Sequence, residues 1–180
     1  MYKRDKLVYV RTYVECYWLT DFINEFRKNK RYEDLTVALE DMLPMMCPEF
    51  IKVRICIVGE YTADIEVYID LDELDRSNAP ECRLMCRKMQ CYRECINTEK
   101  GKKRCKYICV KRIISRCYIK CMKEARDNAI WWLKEVVEDI ENALQTHGMM
   151  YEVKYDSKER PTKAKLRVIT KRVEGRWMLS

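Results

Sequence analysis

Eight of the chain's 11 cysteines form four Cys-x3-Cys pairs within residues 82–121. A polar stretch with one glycine, residues 97–103, separates the second pair from the third and predicts a turn. The cysteines match across this turn: the inner four are symmetric about Lys100, and the outer four about a point slightly further along. Because residues i and i+4 share one face of a helix, the spacing predicts an antiparallel helical hairpin. The four pairs are Cys82/Cys86, Cys91/Cys95, Cys105/Cys109 and Cys117/Cys121.

Facing pairs on two antiparallel helices would bring their sulfur atoms together as a ladder of bridges. One geometric conflict accompanies this arrangement, because Cys82 and Cys91 would lie half a turn apart on a continuous helix. The first helix must therefore kink near residues 87–90, or the outer pairs must point elsewhere, and the two inner bridges are better supported. The predicted disulfides are Cys95–Cys105, Cys91–Cys109, Cys86–Cys117 and Cys82–Cys121.

The hairpin with a Cys-x3-Cys pair on each arm resembles the twin-motif helical hairpins of small mitochondrial import chaperones and plant α-hairpinins. This resemblance covers about 40 residues and is architectural. It implies a pair of cross-braced helices, and it implies nothing about the function of the remaining three quarters of the chain.

Metal binding is the alternative use of the same cysteines. Two Cys-x3-Cys pairs on facing helices can offer four thiolates to zinc or to an iron–sulfur cluster, and the outer four cysteines can offer a second site. A spacing of three is compatible with zinc but is not diagnostic of it. We therefore expect disulfides and no cofactor, with Cys91, Cys95, Cys105 and Cys109 as the alternative metal ligands. Isolated buried thiols, or at most one further bridge, are expected for Cys16, Cys47 and Cys56.

The rest of the chain has the patterns of an α+β domain with a small antiparallel sheet. Strict alternation of apolar and polar residues over 51–57 and 64–71 predicts a β-hairpin with Arg54 opposite Glu66. Further strands are predicted at 7–14, 149–155 and 164–173, and helices at 16–27, 32–43 and 124–146. Without the Cys-rich segment and the last strand, this is the ferredoxin-like order β-α-β-β-α-β, apart from one extra helix after the first strand.

Three sequence regions follow from these patterns. Residues 1–78 and 124–180 are predicted to form the two halves of one α+β domain. Residues 79–123 are predicted to be an inserted, Cys-rich and basic helical hairpin.

Positive charge is concentrated in the inserted segment. Residues 80–126 contain 15 Lys and Arg but only four Glu, a net charge of +11, whereas the whole chain carries +7. A solvated surface usually mixes both signs, so this asymmetry indicates a polyanionic partner, either DNA, RNA or another polyanion. Three interleaved tyrosines, Tyr92, Tyr107 and Tyr118, could stack on bases. The predicted nucleic-acid-binding residues are Lys100, Lys102, Lys103, Arg104, Lys106, Tyr107, Lys111, Arg112, Arg116 and Lys120. A second basic surface is predicted at Lys163, Lys165, Arg167, Lys171 and Arg172.

The sequence predicts a cytoplasmic protein. It contains no apolar run of membrane-spanning length, so no membrane partner is expected, and its first residues lack the apolar core of a signal peptide. Abundant cysteines in such a protein match one known exception, the disulfide-rich intracellular proteins of hyperthermophiles. The source expected on this ground is a hyperthermophilic archaeon or one of its viruses.

No enzymatic activity is expected. Asp64, Glu66 and Asp70 alternate on one strand opposite basic residues, and cross-strand ion pairing accounts for them better than a two-metal centre does. The only histidine, His147, falls at a predicted helix end. The leading hypothesis is therefore a nucleic-acid-binding or ribonucleoprotein-associated protein. The alternatives are a structural or interaction protein, such as a virion component, and a zinc or iron–sulfur protein.

Overall fold

The computed structural model describes residues 14–43 and 47–170, and the backbone of residues 172–173 and 176–177. Within these ranges the chain is α+β, and it divides into two compact units, Met1–Asp70 with Ala129–Ser180, and Leu71–Asn128. The predicted strand at 7–14 falls, except for Val14, outside the described residues. The helices are α1 (Leu19–Phe26), α2 (Glu33–Glu40), α3 (Leu71–Met85) and α4 (Ser115–Thr146). The strands are β1 (Glu15–Trp18), β2 (Ile51–Ile57), β3 (Thr62–Ile69), β4 (Arg87–Asn97), β5 (Lys103–Ile113), β6 (Tyr151–Tyr155), β7 (Lys163–Ile169), β8 (Arg172–Val173) and β9 (Arg176–Trp177).

The first unit contains a five-stranded antiparallel sheet in the order β1-β2-β3-β7-β6. Its β2–β3 hairpin has the predicted register, with Arg54 opposite Glu66. The ferredoxin-like order is not confirmed, because β1 lies at the edge of the sheet and pairs directly with β2, antiparallel to it. In a split βαβ unit, the two strands that flank the helix are parallel and have another strand between them. Residues 16–18, predicted as the start of a helix, instead belong to β1, which pairs with β2.

One face of this sheet forms the core. Ile55, Ile65 and Leu166 follow the period of two along their strands and are fully buried. Helices α1 and α2 contribute buried side chains, and so does the second half of α4, where Leu133 and Ile140 recur at helical spacing. Each such side chain stabilises the fold by roughly 1.5–3 kcal/mol when it leaves water. This core belongs entirely to the first unit.

The second unit contains a β-ribbon rather than a helical hairpin. Strands β4 and β5 pair antiparallel along their whole length, from Arg87 opposite Ile113 to Asn97 opposite Lys103. The turn between them is closed by a 3.0 Å hydrogen bond from the Thr98 amide to the Lys102 carbonyl oxygen. Gly101 has a φ of +69° in this turn, a conformation that glycine adopts without a steric penalty.

The prediction of a helical hairpin is therefore wrong for residues 87–113, and the reason lies in the spacing. Residues i and i+4 share a face in a strand as well as in a helix, so Cys-x3-Cys does not distinguish the two. Aromatic and β-branched residues such as Tyr92, Ile108 and Val110 favour the strand. The half-turn conflict disappears because helix α3 ends at Met85 and β4 begins at Arg87.

All 11 cysteines lie in the described part of the chain, and ten of them form five disulfides. The four predicted pairings are confirmed, and Cys16–Cys56 adds one bridge between β1 and β2. Two bridges join register partners on β4 and β5, with Cα–Cα distances of 4.0 and 4.1 Å. The other two join Cys82 on α3, and Cys86 directly after α3, to α4 at 5.7 and 5.5 Å. Cys47 is free and exposed, rather than a buried thiol.

These disulfides overturn the predicted cytoplasmic location. Disulfide bonds form and persist in oxidising environments, whereas cytosolic reductants keep thiols reduced. Five bridges in one chain of 180 residues therefore indicate an oxidising setting, such as an extracellular or secreted one. Among the residues whose structure is described, no helix has the length and apolar character needed to cross a membrane.

Candidate functional site

The candidate site is the ribbon, defined as residues 87–113: strands β4 and β5 with their connecting turn. Because side chains alternate along each strand, the ribbon has two faces. The two disulfides, Cys91–Cys109 and Cys95–Cys105, define one of them, the disulfide face. Register partners share a face, so each of the other positions can be assigned from the pairing.

The disulfide face is cationic and contains no acidic residue. Its cations are Arg87 and Arg93 on β4 and Lys103 and Lys111 on β5. Tyr107 lies on the same face, and 76% of its surface is exposed. All of these side chains are therefore accessible to a partner in solution.

The opposite face mixes apolar, basic and acidic side chains. Tyr92 pairs with Ile108, and Val110 is adjacent on the same face; both β5 residues are half-buried. Glu94 lies directly across from Lys106 and introduces the negative charge that the disulfide face lacks. These apolar contacts account for part of the ribbon's own stability.

The structure spreads the predicted binding residues over the ribbon and the start of α4. Lys100 and Lys102 lie in the turn, and Arg116 and Lys120 lie in the first turns of α4. The remaining residues divide between the two faces, and every member of the predicted set is exposed. The disulfide face has Lys103, Tyr107 and Lys111, and the opposite face has Arg104, Lys106 and Arg112.

The ribbon's positive charge is not neutralised locally. It contains ten Lys and Arg and two Glu, a net charge of +8. Across the described ranges 14–43 and 47–170, no carboxylate lies within ion-pair distance of any of these ten basic side chains. Charges without partners remain available for an external polyanion.

The second predicted basic surface differs, because its cations have acidic partners within the sheet. Arg167 donates two hydrogen bonds, of 2.9 and 3.1 Å, to the buried carboxylate of Asp64. This pairing raises the pKa of Arg167. Lys163 and Lys165 lie 3.3 and 4.0 Å from Glu66. Much of their charge is therefore compensated internally; the predicted members Lys171 and Arg172 have no described side chains.

Two of the three carboxylates on the predicted strand, Asp64 and Glu66, occupy the same ion-paired arrangement. Burial raises the pKa of Glu66, but hydrogen bonds from Arg54 and Lys163 outweigh it and hold the pKa below its usual value. Nε2 of His147 lies 2.7 Å from an Asp41 carboxylate oxygen, at the end of α4. The ion pairs of Glu66 and the contact between His147 and Asp41 are structural interactions, and neither requires a reaction to account for it.

The four alternative metal ligands are joined in the two ribbon disulfides. Cys91, Cys95, Cys105 and Cys109 therefore have no thiolate to offer in this oxidised state. In the part of the chain that the structure describes, no group of three or more His, Cys, Asp or Glu side chains is placed to hold a metal ion.

Sequence reasoning missed Arg93 as a candidate binding residue. The predicted set begins at Lys100, where basic residues are densest, and contains no residue of β4. The signal was present nonetheless: Arg93 lies two positions from both Cys91 and Cys95, which places all three on one face of a strand.

Comparison with known proteins adds no family to these observations. No family model matches the chain, and neither does any curated protein or solved structure. What the chain binds must therefore be inferred from the charge and geometry of its own residues.

Proposed function

We propose that this protein binds nucleic acid through the ribbon, without enzymatic activity and without a cofactor. The observation that supports this most directly is the set of ten exposed basic side chains on residues 87–113, unpaired within the described structure. Side chains of this kind bind phosphates and release condensed counterions, which gives affinity that falls steeply with salt. Such contacts position a protein on nucleic acid without selecting a sequence.

Rigidity of the ribbon supports the same proposal. Two cross-strand disulfides and a continuous antiparallel ladder hold the basic side chains on an ordered backbone before any partner arrives. Binding then costs less conformational entropy than it would for a flexible basic segment. A purely solubilising surface would not require this bracing.

The test is a salt titration of binding to labelled oligonucleotides of about 20 nucleotides, single-stranded and duplex, followed by fluorescence anisotropy. The variant replaces Lys102, Lys103, Arg104 and Lys106 with Gln. We expect weaker binding to every sequence, and the salt slope should fall by about 0.7 for each replaced side chain that contacts a single-stranded phosphate.

A matched control removes four exposed basic side chains of the first unit, Lys28, Lys30, Lys134 and Lys158, and should retain the wild-type slope. Equal losses in the two variants would show a general charge effect and contradict a site on the ribbon. Failure of the wild-type protein to bind any oligonucleotide at low salt would refute nucleic-acid binding. Binding to polyglutamate in that case would favour the alternative of an interaction protein with an acidic partner.

A further inference from the structure

The disulfide face places an exposed aromatic ring at its centre. Tyr107 lies directly across from Arg93, in the row between the two ribbon disulfides. Its side chain makes no hydrogen bond or ring contact with any other described residue, and 76% of its surface is exposed. A ring exposed to this extent buries little surface in the fold, so its face is accessible to a ligand.

The row that contains this ring is held in place on both sides. Cys91–Cys109 closes one neighbouring row of that face, and Cys95–Cys105 closes the other. The backbone positions of Arg93 and Tyr107 are therefore fixed relative to each other before a ligand binds. Preorganisation of this kind strengthens binding by reducing the ordering cost.

Basic side chains flank the ring along β5. Lys103 and Lys111 are each four residues from Tyr107, which is about 13 Å in a strand. The face therefore combines a stackable ring with cations on either side and has no carboxylate to repel a phosphate. Proteins that bind single strands without sequence preference combine these same two elements.

We propose that the disulfide face binds single-stranded nucleic acid, with one base stacked on Tyr107 and phosphates contacted by Arg93, Lys103 and Lys111. This proposal rests on the proposed function and specifies both the ligand and the face. A duplex does not fit as well, because the faces of its paired bases are covered by neighbouring bases, whereas unpaired bases can stack on an aromatic side chain.

The opposite face is less suited to the same ligand. Its tyrosine, Tyr92, is 46% exposed and pairs with the half-buried Ile108. Glu94 on that face would lie close to the phosphates of a bound strand. The two faces of one ribbon therefore provide a matched comparison, with equal numbers of residues to substitute on each.

The first experiment compares Tyr107→Ala, Tyr107→Phe and Tyr92→Ala for binding to an unstructured oligothymidylate. Tyr107→Ala should weaken binding roughly 5- to 150-fold, the range for losing one stacked base. Tyr107→Phe should keep wild-type affinity because the ring is retained, and Tyr92→Ala should have little effect. Intact mass confirms in each variant that all five disulfides have formed.

The second experiment removes three charges from either face. Replacing Arg93, Lys103 and Lys111 with Gln should weaken binding and reduce the salt slope more than replacing Arg104, Lys106 and Arg112 with Gln. Duplex DNA of the same sequence length should bind more weakly than the single strand and should be insensitive to Tyr107→Ala.

Three results would overturn this inference while leaving nucleic-acid binding intact. The first is wild-type affinity of Tyr107→Ala for the single strand, and the second is tighter binding to the duplex. The third is equal effects of the two three-residue variants, which would contradict the choice of face. If the wild-type protein binds neither oligonucleotide, the proposed function fails as well, so the two failures are distinguishable.

Discussion

Two carboxylates, Asp64 and Glu66, are buried on strand β3 beneath basic side chains from the neighbouring strands. Asp64 is 2% exposed and Glu66 is 7% exposed. Arg54 and Lys163 approach Glu66 from opposite sides, and Arg167 binds Asp64. A buried charge is tolerated when it is paired and hydrogen-bonded, so this polar face of the sheet depends on correct strand register.

The depressed pKa of Glu66 predicts a pH-dependent contribution to stability. Burial raises this pKa, but the hydrogen bonds from Arg54 and Lys163 lower it by more than burial raises it. The pKa of Glu66 in the folded protein is therefore below its value in the unfolded chain. The contribution of Glu66 to the free energy of unfolding is therefore present above the pKa of about 4.3 that this residue has in the unfolded chain. It is lost as the pH falls through the lower pKa of Glu66 in the folded protein. Glu66→Gln should lower the free energy of unfolding by roughly 1–3 kcal/mol near neutral pH, and this difference should shrink in acid.

Urea denaturation with the disulfides intact measures the difference, at neutral pH and at about pH 3. Glu25→Gln, an exposed substitution on α1, serves as the control and should change stability by less than about 0.5 kcal/mol at both values. A deficit for Glu66→Gln that stays constant across this range would show that its ion pairs do not contribute through ionisation.

At the scale of elements, the two kinds of disulfide differ in accessibility. All four cysteines of the ribbon bridges are exposed, whereas Cys82 on α3 and Cys86 directly after it are 2% and 1% exposed. Thiol–disulfide exchange requires access to a sulfur atom. We therefore expect mild reductant to open the ribbon bridges before Cys82–Cys121 and Cys86–Cys117.

Graded reduction, followed by alkylation and peptide mass spectrometry, tests this order. Cys91, Cys95, Cys105 and Cys109 should be labelled at lower reductant concentrations than Cys82, Cys86, Cys117 and Cys121. Cys47 should be labelled without reductant and serves as the internal control, because it is free and exposed. Simultaneous labelling of both sets would contradict the prediction.

The sequence predicts an element well when the residues that specify it are close together in the chain. Strands β2 and β3 alternate strictly, so their register, including Arg54 opposite Glu66, follows from the pattern. Pairing of β3 with β7 joins residues about 100 positions apart, and no local pattern specifies it. For the ribbon, cysteine spacing predicted the pairing but not the backbone conformation. The charged segment was therefore found from the sequence, while the faces that divide its side chains required the register.

At the scale of the whole chain, the two units are stabilised by different means. The first unit buries a large apolar core, whereas the described apolar residues that are buried in the second unit are Leu74, Cys82 and Cys86. Four of the five disulfides lie in the second unit, together with an Arg126–Asp75 ion pair of 3.2 Å. Its order therefore depends on covalent bridges, much as in small domains that lack a sufficient core.

This difference predicts that reduction will affect the two units unequally. Each disulfide stabilises by roughly 2–4 kcal/mol, and the first unit loses one bridge but keeps its core, whereas the second loses all four. Hydrogen exchange with and without full reduction measures the effect. Amides of β4 and β5 should lose protection on reduction, because an isolated two-stranded hairpin is marginally stable in water. Amides of β3 and of residues 129–146 in α4 should remain protected, since Ile65, Leu133 and Ile140 stay buried.

Retained protection across the ribbon would show that the pairing of β4 with β5 does not require the bridges. Loss of protection across both units would show that the core of the first unit depends on Cys16–Cys56.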